Sequence, residues 1–263
     1  MTVSYQGTTT LITGASSGLG TEFAQQLAAR GSDLVLVARR LDRLEALATE
    51  LRASSGRTVT VIAADLAAPD AAAHLATELE GRGITINSLI NNAGFATRNR
   101  FEDEDASRIA EEVDLNVGVL VDLTSAFYSQ LQKHDNGVLI NIASTAAFQP
   151  VPMMAVYGAT KAFVLSFTEA LWYENKDRGL RVLALCPGAT KTEFFDIAGE
   201  GARVGNYQTA EQVVSLALST LDKRNPGPSV ISGTRNKLTA GSTRLASRRA
   251  VVNLSGSITT RNE

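Results

Sequence analysis

Residues 8–20 read TTTLITGASSGLG, and a helical pattern runs on from Leu19 to Arg30. The stretch 8–13 is short and β-branched and ends at a glycine, which predicts a buried strand. Gly14, Gly18 and Gly20 follow with the spacing G-x-x-x-G-x-G. Strand, glycine-rich turn and helix together make a phosphate site. The glycines let the backbone approach a pyrophosphate, whose charge rests at the helix N-terminus. Gly14, Ser16, Ser17, Gly18, Leu19 and Gly20 would line it. The spacing departs from the commonest dinucleotide fingerprint, G-x-G-x-x-G, and an ordinary strand-to-helix turn reads the same way.

Strand and helix signals alternate outward from this turn. Residues 33–38 (DLVLVA) are the second strand, followed by Arg39, Arg40 and an amphipathic helix. An acid near this strand end would bond the ribose 2′-hydroxyl of NAD, whereas an arginine pairs with the 2′-phosphate of NADP. No acid is present, and a guanidinium matches phosphate geometry well. NADP(H) is the expected cofactor, with Arg39 on the phosphate and Arg40 opening a solvated helix. Residues 58–64 (TVTVIAA) are a third strand ending at Asp65-Leu66. Asp65 can accept a hydrogen bond from an adenine amino group or cap the next helix. That helix runs from Pro69 to about Leu79. His74 within it lacks a partner at metal-ligand spacing, so no metal site is expected. Residues 86–90 are strand four, ending in Asn91-Asn92-Ala93-Gly94.

Residues 103–134 read as helix, in two segments joined near Asn116. Residues 137–143 (GVLINIA) are strand five, which delivers Ser144 at its C-terminal end, where ligands of open α/β sheets bind. The stretch STAAFQPVPMMAVYGATK then holds Ser144, Tyr157 and Lys161. Tyr157 and Lys161 are four residues apart in a segment that suits a helix, so they share a face one turn apart. A nearby cation favours a phenolate. Bringing a phenol from about 10 to about 7 takes roughly 4 kcal/mol of differential stabilisation, and such a tyrosine can donate or accept protons near neutral pH. Taken alone, the pair is a weak signal and reads first as two amphipathic surface side chains of a helix.

The chain has 263 residues, which suits one large α/β domain. Hydrophobic residues make up 44%, enough for a sizeable core, and the formal charge of −2 gives no general pull toward nucleic acid or anionic membrane. Cys186 is the sole cysteine, which excludes an internal disulfide; in LRVLALCPG it reads as a small buried hydrophobe. No apolar run approaches the ~18 residues of a membrane span, and the N-terminal residues lack a signal-peptide pattern. A cytoplasmic protein is expected.

TGASSGLG at 13–20, NNAG at 91–94, Asn116, Ser144 and YGATK at 157–161 together resemble the short-chain dehydrogenase/reductase family, in its main single-domain branch. The resemblance covers roughly residues 8–232. It implies a Rossmann-type doubly wound parallel sheet in three α/β/α layers, a nicotinamide cofactor, and a Ser–Tyr–Lys site assisted by an asparagine. In that pattern Asn116 distorts the helix and holds a water near Lys161, completing a proton relay to Tyr157. Asn92, Ala93 and Gly94, with Tyr157 and Lys161, join the cofactor site. Pro187 and Gly188 break strand six (180–186) where the nicotinamide would lie, and Thr190 and Thr192 contact its carboxamide or the pyrophosphate.

The loop 145–154 is apolar and reads as one wall of a substrate pocket, with Met154 facing it. The helix 156–176 carries an aromatic stripe that is either core or, as in the family, a contact with a second subunit; a homodimer or homotetramer is expected. Residues 190–208 read as a flap over the substrate that closes to exclude water, with Phe194 and Phe195 facing in. Thr209 caps a helix to about Leu221, and 226–231 is a last strand. Residues 1–234 make the catalytic domain. Residues 235–263 are rich in Arg, Ser and Thr and read as a solvated tail, or as a basic patch for a membrane surface, a partner subunit or an acidic thioester. The expected activity is NADP(H)-dependent reduction of a ketone or aldehyde, with Ser144 and Tyr157 on the carbonyl. The stretches LVLVARRLDRLEALATEL and PGATKTEFF look similar to reductases of long-chain 3-oxoacyl and hydroxysteroid substrates, which tilts the expectation to an apolar ketone. An NADP(H)-binding sensor or scaffold with little turnover is the alternative.

Overall fold

Residues 11–13, 34–38, 88–91 and 138–142 are apolar or small almost throughout, and a strand covered on both faces requires that. The computed structural model describes residues 3–134, 136–194 and 207–260. Its strands are β1 (Thr9–Thr13), β2 (Asp33–Ala38), β3 (Val59–Ala63), β4 (Ser88–Asn91), β5 (Val138–Ile142), β6 (Arg181–Cys186) and β7 (Ser229–Ile231). They form one sheet in the order β3-β2-β1-β4-β5-β6-β7, with every neighbouring pair parallel. The chain winds outward from β1 to β3, returns to β4 beside β1, and winds outward the other way. The C-terminal ends of β1 and β4 are therefore a topological switch point, where open α/β sheets bind ligands.

The crossovers are α1 (Gly18–Ala29), α2 (Leu41–Ser55), α3 (Ala71–Gly81), α4 (Ala106–Val113), α5 (Val119–Gln132), α6 (Ala155–Asn175) and α7 (Ala210–Leu221). Successive strand residues point to opposite faces. Ile12, Leu34, Leu36, Ile140 and Leu183 pack with α1, α2 and α7. Leu11, Val35, Val37, Leu139 and Val182 pack with α3 and α5. The doubly wound, three-layer arrangement follows from this alternation. Strand and helix ends differ from the sequence reading by one to three residues. The helix expected from Pro69 starts at Ala71, after Asp70 takes a left-handed φ of 57°.

Thr209 caps α7 as expected. Its hydroxyl accepts from Gln212 N and its own N–H donates to Gln212 Oε1, each at 3.2 Å. Thr209→Ala is expected to cost about 1 kcal/mol, read as a lower urea midpoint at unchanged slope.

The reading of residues 235–263 as a solvated tail needs correcting over its described part, 235–260. Two further helices follow β7: α8 (Thr234–Ser242) and α9 (Arg248–Thr259). Ser247 caps α9 by accepting from Ala250 N at 3.3 Å. Arg98, in the segment after β4, donates to the Thr259 carbonyl at 3.0 Å and ties the end of α9 to the sheet edge. The polar composition hides the spacing of Val251, Leu254, Ser255 and Ile258, which is that of one helix face.

Candidate active site

The glycine-rich turn is held by the sequence beyond β4. Asn92 Nδ2 donates to the carbonyls of Thr13 (2.9 Å) and Gly14 (3.2 Å). The Thr13 hydroxyl accepts from the N–H groups of Asn92 and Ala93, both at 3.0 Å. Gly14 and Gly18 take left-handed φ values of 64° and 55°, a conformation that suits glycine. Gly20 lies behind the turn, where a Cβ would stand 2.3 Å from the Gly14 carbonyl oxygen. Ser17 precedes α1 without a side-chain cap bond, so first-turn N–H groups are open to an anion. A turn that excludes even a methyl group, at the positive end of a helix, fits a pyrophosphate.

Arg39 and Arg40 divide differently from the sequence reading. Arg40 does not simply open a solvated helix. Its guanidinium donates to Ser16 Oγ (3.1 Å) and pairs with Glu193 Oε2 (2.8 Å). Arg43 pairs with the same carboxylate, and the two guanidiniums hold Glu193 below the usual glutamate range. Arg39 is exposed at the end of β2, lines the same cavity, and is not engaged by Glu193. Asp65 is exposed, lines the cavity, and accepts from Ala67 N at 3.1 Å. Leu66 beside it is buried.

β5 ends two residues before Ser144, whose hydroxyl accepts from Ala146 N at 3.1 Å and starts a one-turn helix. α6 places Tyr157 and Lys161 one turn apart, both buried. Lys161 Nζ donates to the Ile142 carbonyl at 2.8 Å and sits 5.7 Å from the Tyr157 ring centroid. The expected lowering of the tyrosine pKa is reversed here. Burial pushes the Tyr157 phenol up to about 12; a hydrogen bond with Ser144 opposes this and the Glu112 carboxylate adds to it. Burial brings the Lys161 ammonium down to about 8, opposed by the Glu112 carboxylate. The physical reason is that both groups leave water together, and Lys161 spends its hydrogen bond on the backbone.

Asn116 lies in a π-helical turn, 114–118, between α4 and α5. Such turns recur at functional sites. Its amide is fully engaged: Oδ1 accepts from Phe95 N (3.1 Å), while Nδ2 donates to Phe95 O (2.9 Å) and Thr160 Oγ1 (3.2 Å). It is buried behind Gly94, where a Cβ would meet Asn116 Oδ1 at 2.6 Å and Lys161 Nζ at 3.7 Å.

One cavity of about 920 Å³ joins these parts, within the size range of small-molecule sites. Of the predicted residues, Gly20 and Asn116 stand behind its wall. Phe195, and most of the flap 190–208, lie outside the described residues. The other predicted residues line it, including Asn92, Ala93, Gly94, Pro187, Gly188, Thr190 and Thr192. Thr192 closes against Gly18, where a Cβ would meet its Cγ2 at 2.9 Å. Met154 and Phe194 pack around Tyr157, with the two rings 5.5 Å apart. The sequence reading missed the far wall, built by Phe95, Arg98 and the inner face of α9: Val251, Leu254 and Ile258. It also missed Glu112. Among the described residues, no group of His, Cys, Asp or Glu could hold a metal ion, and no helix is long and apolar enough to cross a membrane.

The short chain dehydrogenase family model matches residues 8–201. The chain belongs to the short-chain dehydrogenase/reductase family. It is 39% identical to the sulfoacetaldehyde reductase of Chromohalobacter salexigens over 80% of this chain and 81% of that one. It is 34% identical to human 17-beta-hydroxysteroid dehydrogenase type 3 over 69% of this chain. The chain spans about three-fifths of the length of that hydroxysteroid relative. A solved short-chain dehydrogenase from Sphingobium yanoikuyae, in complex with NADPH, superposes with a TM-score of 0.80 at 37% identity, over 90% of this chain and 94% of that one. Members of the short-chain dehydrogenase/reductase family are oxidoreductases that bind a nicotinamide cofactor, and the glycine-rich turn described above fits one.

Proposed function

We propose that this chain is an NADP(H)-dependent carbonyl reductase acting on an apolar ketone or aldehyde, with Tyr157 as general acid. The observation that carries this reading is the convergence of Ser144, Tyr157 and Lys161 on one cavity whose other end is the glycine-rich turn. The cofactor supplies a hydride to the carbonyl carbon when bound. The Ser144 hydroxyl and the Tyr157 phenol donate hydrogen bonds to the carbonyl oxygen. A phenol pushed up to about 12 keeps its proton across the neutral range, so it is loaded for donation to the developing alkoxide. Lys161 then faces a forming phenolate, and its ammonium stabilises that charge; it would also hold the ribose of a bound cofactor. Asn116, clamped to Phe95, fixes the wall beside Lys161. Met154, Phe194 and the inner face of α9 give the substrate an apolar surround.

Two features support NADP(H) over NAD(H). The C-terminal end of β2 carries guanidiniums and no acid. Arg40 is occupied by Glu193, which leaves Arg39 as the cation facing a 2′-phosphate. The exposed Phe163, stacked on Phe167 along α6, supports self-association through that helix. Initial rates with NADPH and with NADH across ketones, aldehydes and 3-oxoacyl thioesters test the reading. Turnover with NADPH above NADH is expected. Arg39→Ala should lower kcat/KM for NADPH by about tenfold to a hundredfold, the worth of one charge-assisted bond, and leave NADH unchanged. Faster turnover with NADH would overturn the assignment of Arg39. Tight NADPH binding without turnover of any carbonyl would favour a sensor.

A further inference from the structure

The segment after β4 is pinned at three points. Asn116 holds both the N–H and the carbonyl of Phe95. Thr97 donates to Glu112 Oε2 from N (2.9 Å) and Oγ1 (2.8 Å), and Asn99 N donates to the Met153 carbonyl at 3.0 Å. Arg98, between the last two, therefore starts from fixed backbone. It is half-buried and lines the cavity. A guanidinium has five N–H donors. Among the described residues one is used, from Nη2 to the Thr259 carbonyl at 3.0 Å, and no acid pairs with this side chain. The neighbouring charges cancel, since Arg108 pairs with Glu111 and both line the same cavity. Arg235 belongs to the β6 end, where the adjacent Asn236 packs on Gly188. The far wall thus holds an uncompensated cation. On the turns of α9 that lead to Thr259, Leu254 is 64% exposed and Ile258 41%, although both line the cavity. Such a face gains by being covered with apolar ligand surface.

We propose that the substrate is an apolar carbonyl compound with a carboxylate at the end remote from its carbonyl, and that Arg98 is the specificity-determining residue that binds this carboxylate. The proposal deepens the function given above and rests on it for the carbonyl end. The carbonyl lies at Ser144 and Tyr157, and the apolar body lies along Val251, Leu254 and Ile258. The carboxylate takes the donors that Thr259 leaves unused. The flat guanidinium suits both oxygens of a carboxylate at once, and such charge-assisted bonds are the strong ones. The Thr259 bond holds the guanidinium in place without neutralising it. A neutral substrate of the same shape covers the α9 face equally well but leaves Arg98 without its anion, so the charge discriminates where the apolar surface does not.

Two measurements test this. The first compares kcat/KM for methyl-ketone fatty acids of increasing chain length, each against its own primary amide. The wild-type enzyme is expected to favour the best acid over its amide by about tenfold to a hundredfold, the worth of a charge-assisted bond, and to do so through KM, as uniform binding does. Arg98→Gln removes the charge and keeps a donor for the Thr259 carbonyl; its ratio should fall close to one. Arg98→Lys keeps the charge and should retain much of the preference. The second measurement is isothermal titration of the NADPH-loaded protein with decanoate and with decanamide, which needs no turnover. Decanoate should bind more tightly to wild type, and Arg98→Gln should abolish the difference. A wild-type ratio near one overturns the proposal, and this comparison does not depend on any variant folding. So does a preference that survives Arg98→Gln, or an equal loss for acid and amide, which would mark Arg98 as an anchor of α9 alone. Absence of turnover with every ketone counts against the function proposed above, while the decanoate titration still decides the role of Arg98.

Discussion

Tyr157→Phe is expected to lower kcat/KM for carbonyl reduction by roughly 10³-fold, the scale of a lost general acid, and to change cofactor affinity far less. The substitution removes one oxygen and keeps the ring. The ring packs against Met154 and Ala96 and stands 5.5 Å from Phe194, so the apolar wall survives. The carbonyl oxygen loses both a hydrogen bond and its proton source. Ser144 remains and can still donate one hydrogen bond to the carbonyl oxygen. Lys161 keeps its own anchor, the Ile142 carbonyl, so the ammonium does not collapse into the space. Initial rates together with a cofactor-binding titration separate the two effects. A variant with near-full turnover would refute the assignment of Tyr157.

Gly20→Ala should weaken cofactor binding by roughly a hundredfold and lower stability by about 1–3 kcal/mol, the usual range for overpacking. The added Cβ would stand 2.3 Å from the Gly14 carbonyl oxygen, 2.7 Å from Asn92 Nδ2 and 2.9 Å from Ala15 Cα. Two of these neighbours are backbone and cannot rotate away. The strain therefore enters the turn that presents N–H groups to the pyrophosphate, and it disturbs the Asn92 bonds that hold that turn. Gly81→Ala is the control, since a Cβ there meets nothing within 4 Å. Isothermal titration with NADPH, paired with urea unfolding, reads both effects. Equal affinities for the Gly20 and Gly81 variants would contradict this view of the turn.

The residues that were legible in the sequence are those whose role is written locally. Gly14 and Gly18 need positive φ, and Thr209 with Gln212 forms a cap within one turn. Tyr157 and Lys161 need nothing beyond helical spacing to share a face. Residues whose role is set by distant partners were misread. Arg40 looks like any first residue of an amphipathic helix until Glu193 arrives from the far side of the sheet. Glu112 sits in EDEDASRIAEEVD, where nothing local separates a buried acid from its exposed neighbours. α8 was missed in a polar stretch, TRNKLTAGS, and α9 because polar composition hid a helical face of Val251, Leu254 and Ile258. The direction of the Tyr157 shift was also missed, because spacing reports a nearby cation but not the burial of the pair.

The most direct test of the account is an isotope-transfer measurement. NADPH deuterated at the nicotinamide C4 position is incubated with the enzyme and an apolar ketone, and the alcohol is analysed by mass spectrometry. The account predicts deuterium at the carbinol carbon, formed by the wild-type enzyme and nearly absent with Tyr157→Phe. Unlabelled alcohol from both C4-deuterated epimers of NADPH, or labelled alcohol in equal yield from Tyr157→Phe, would contradict it.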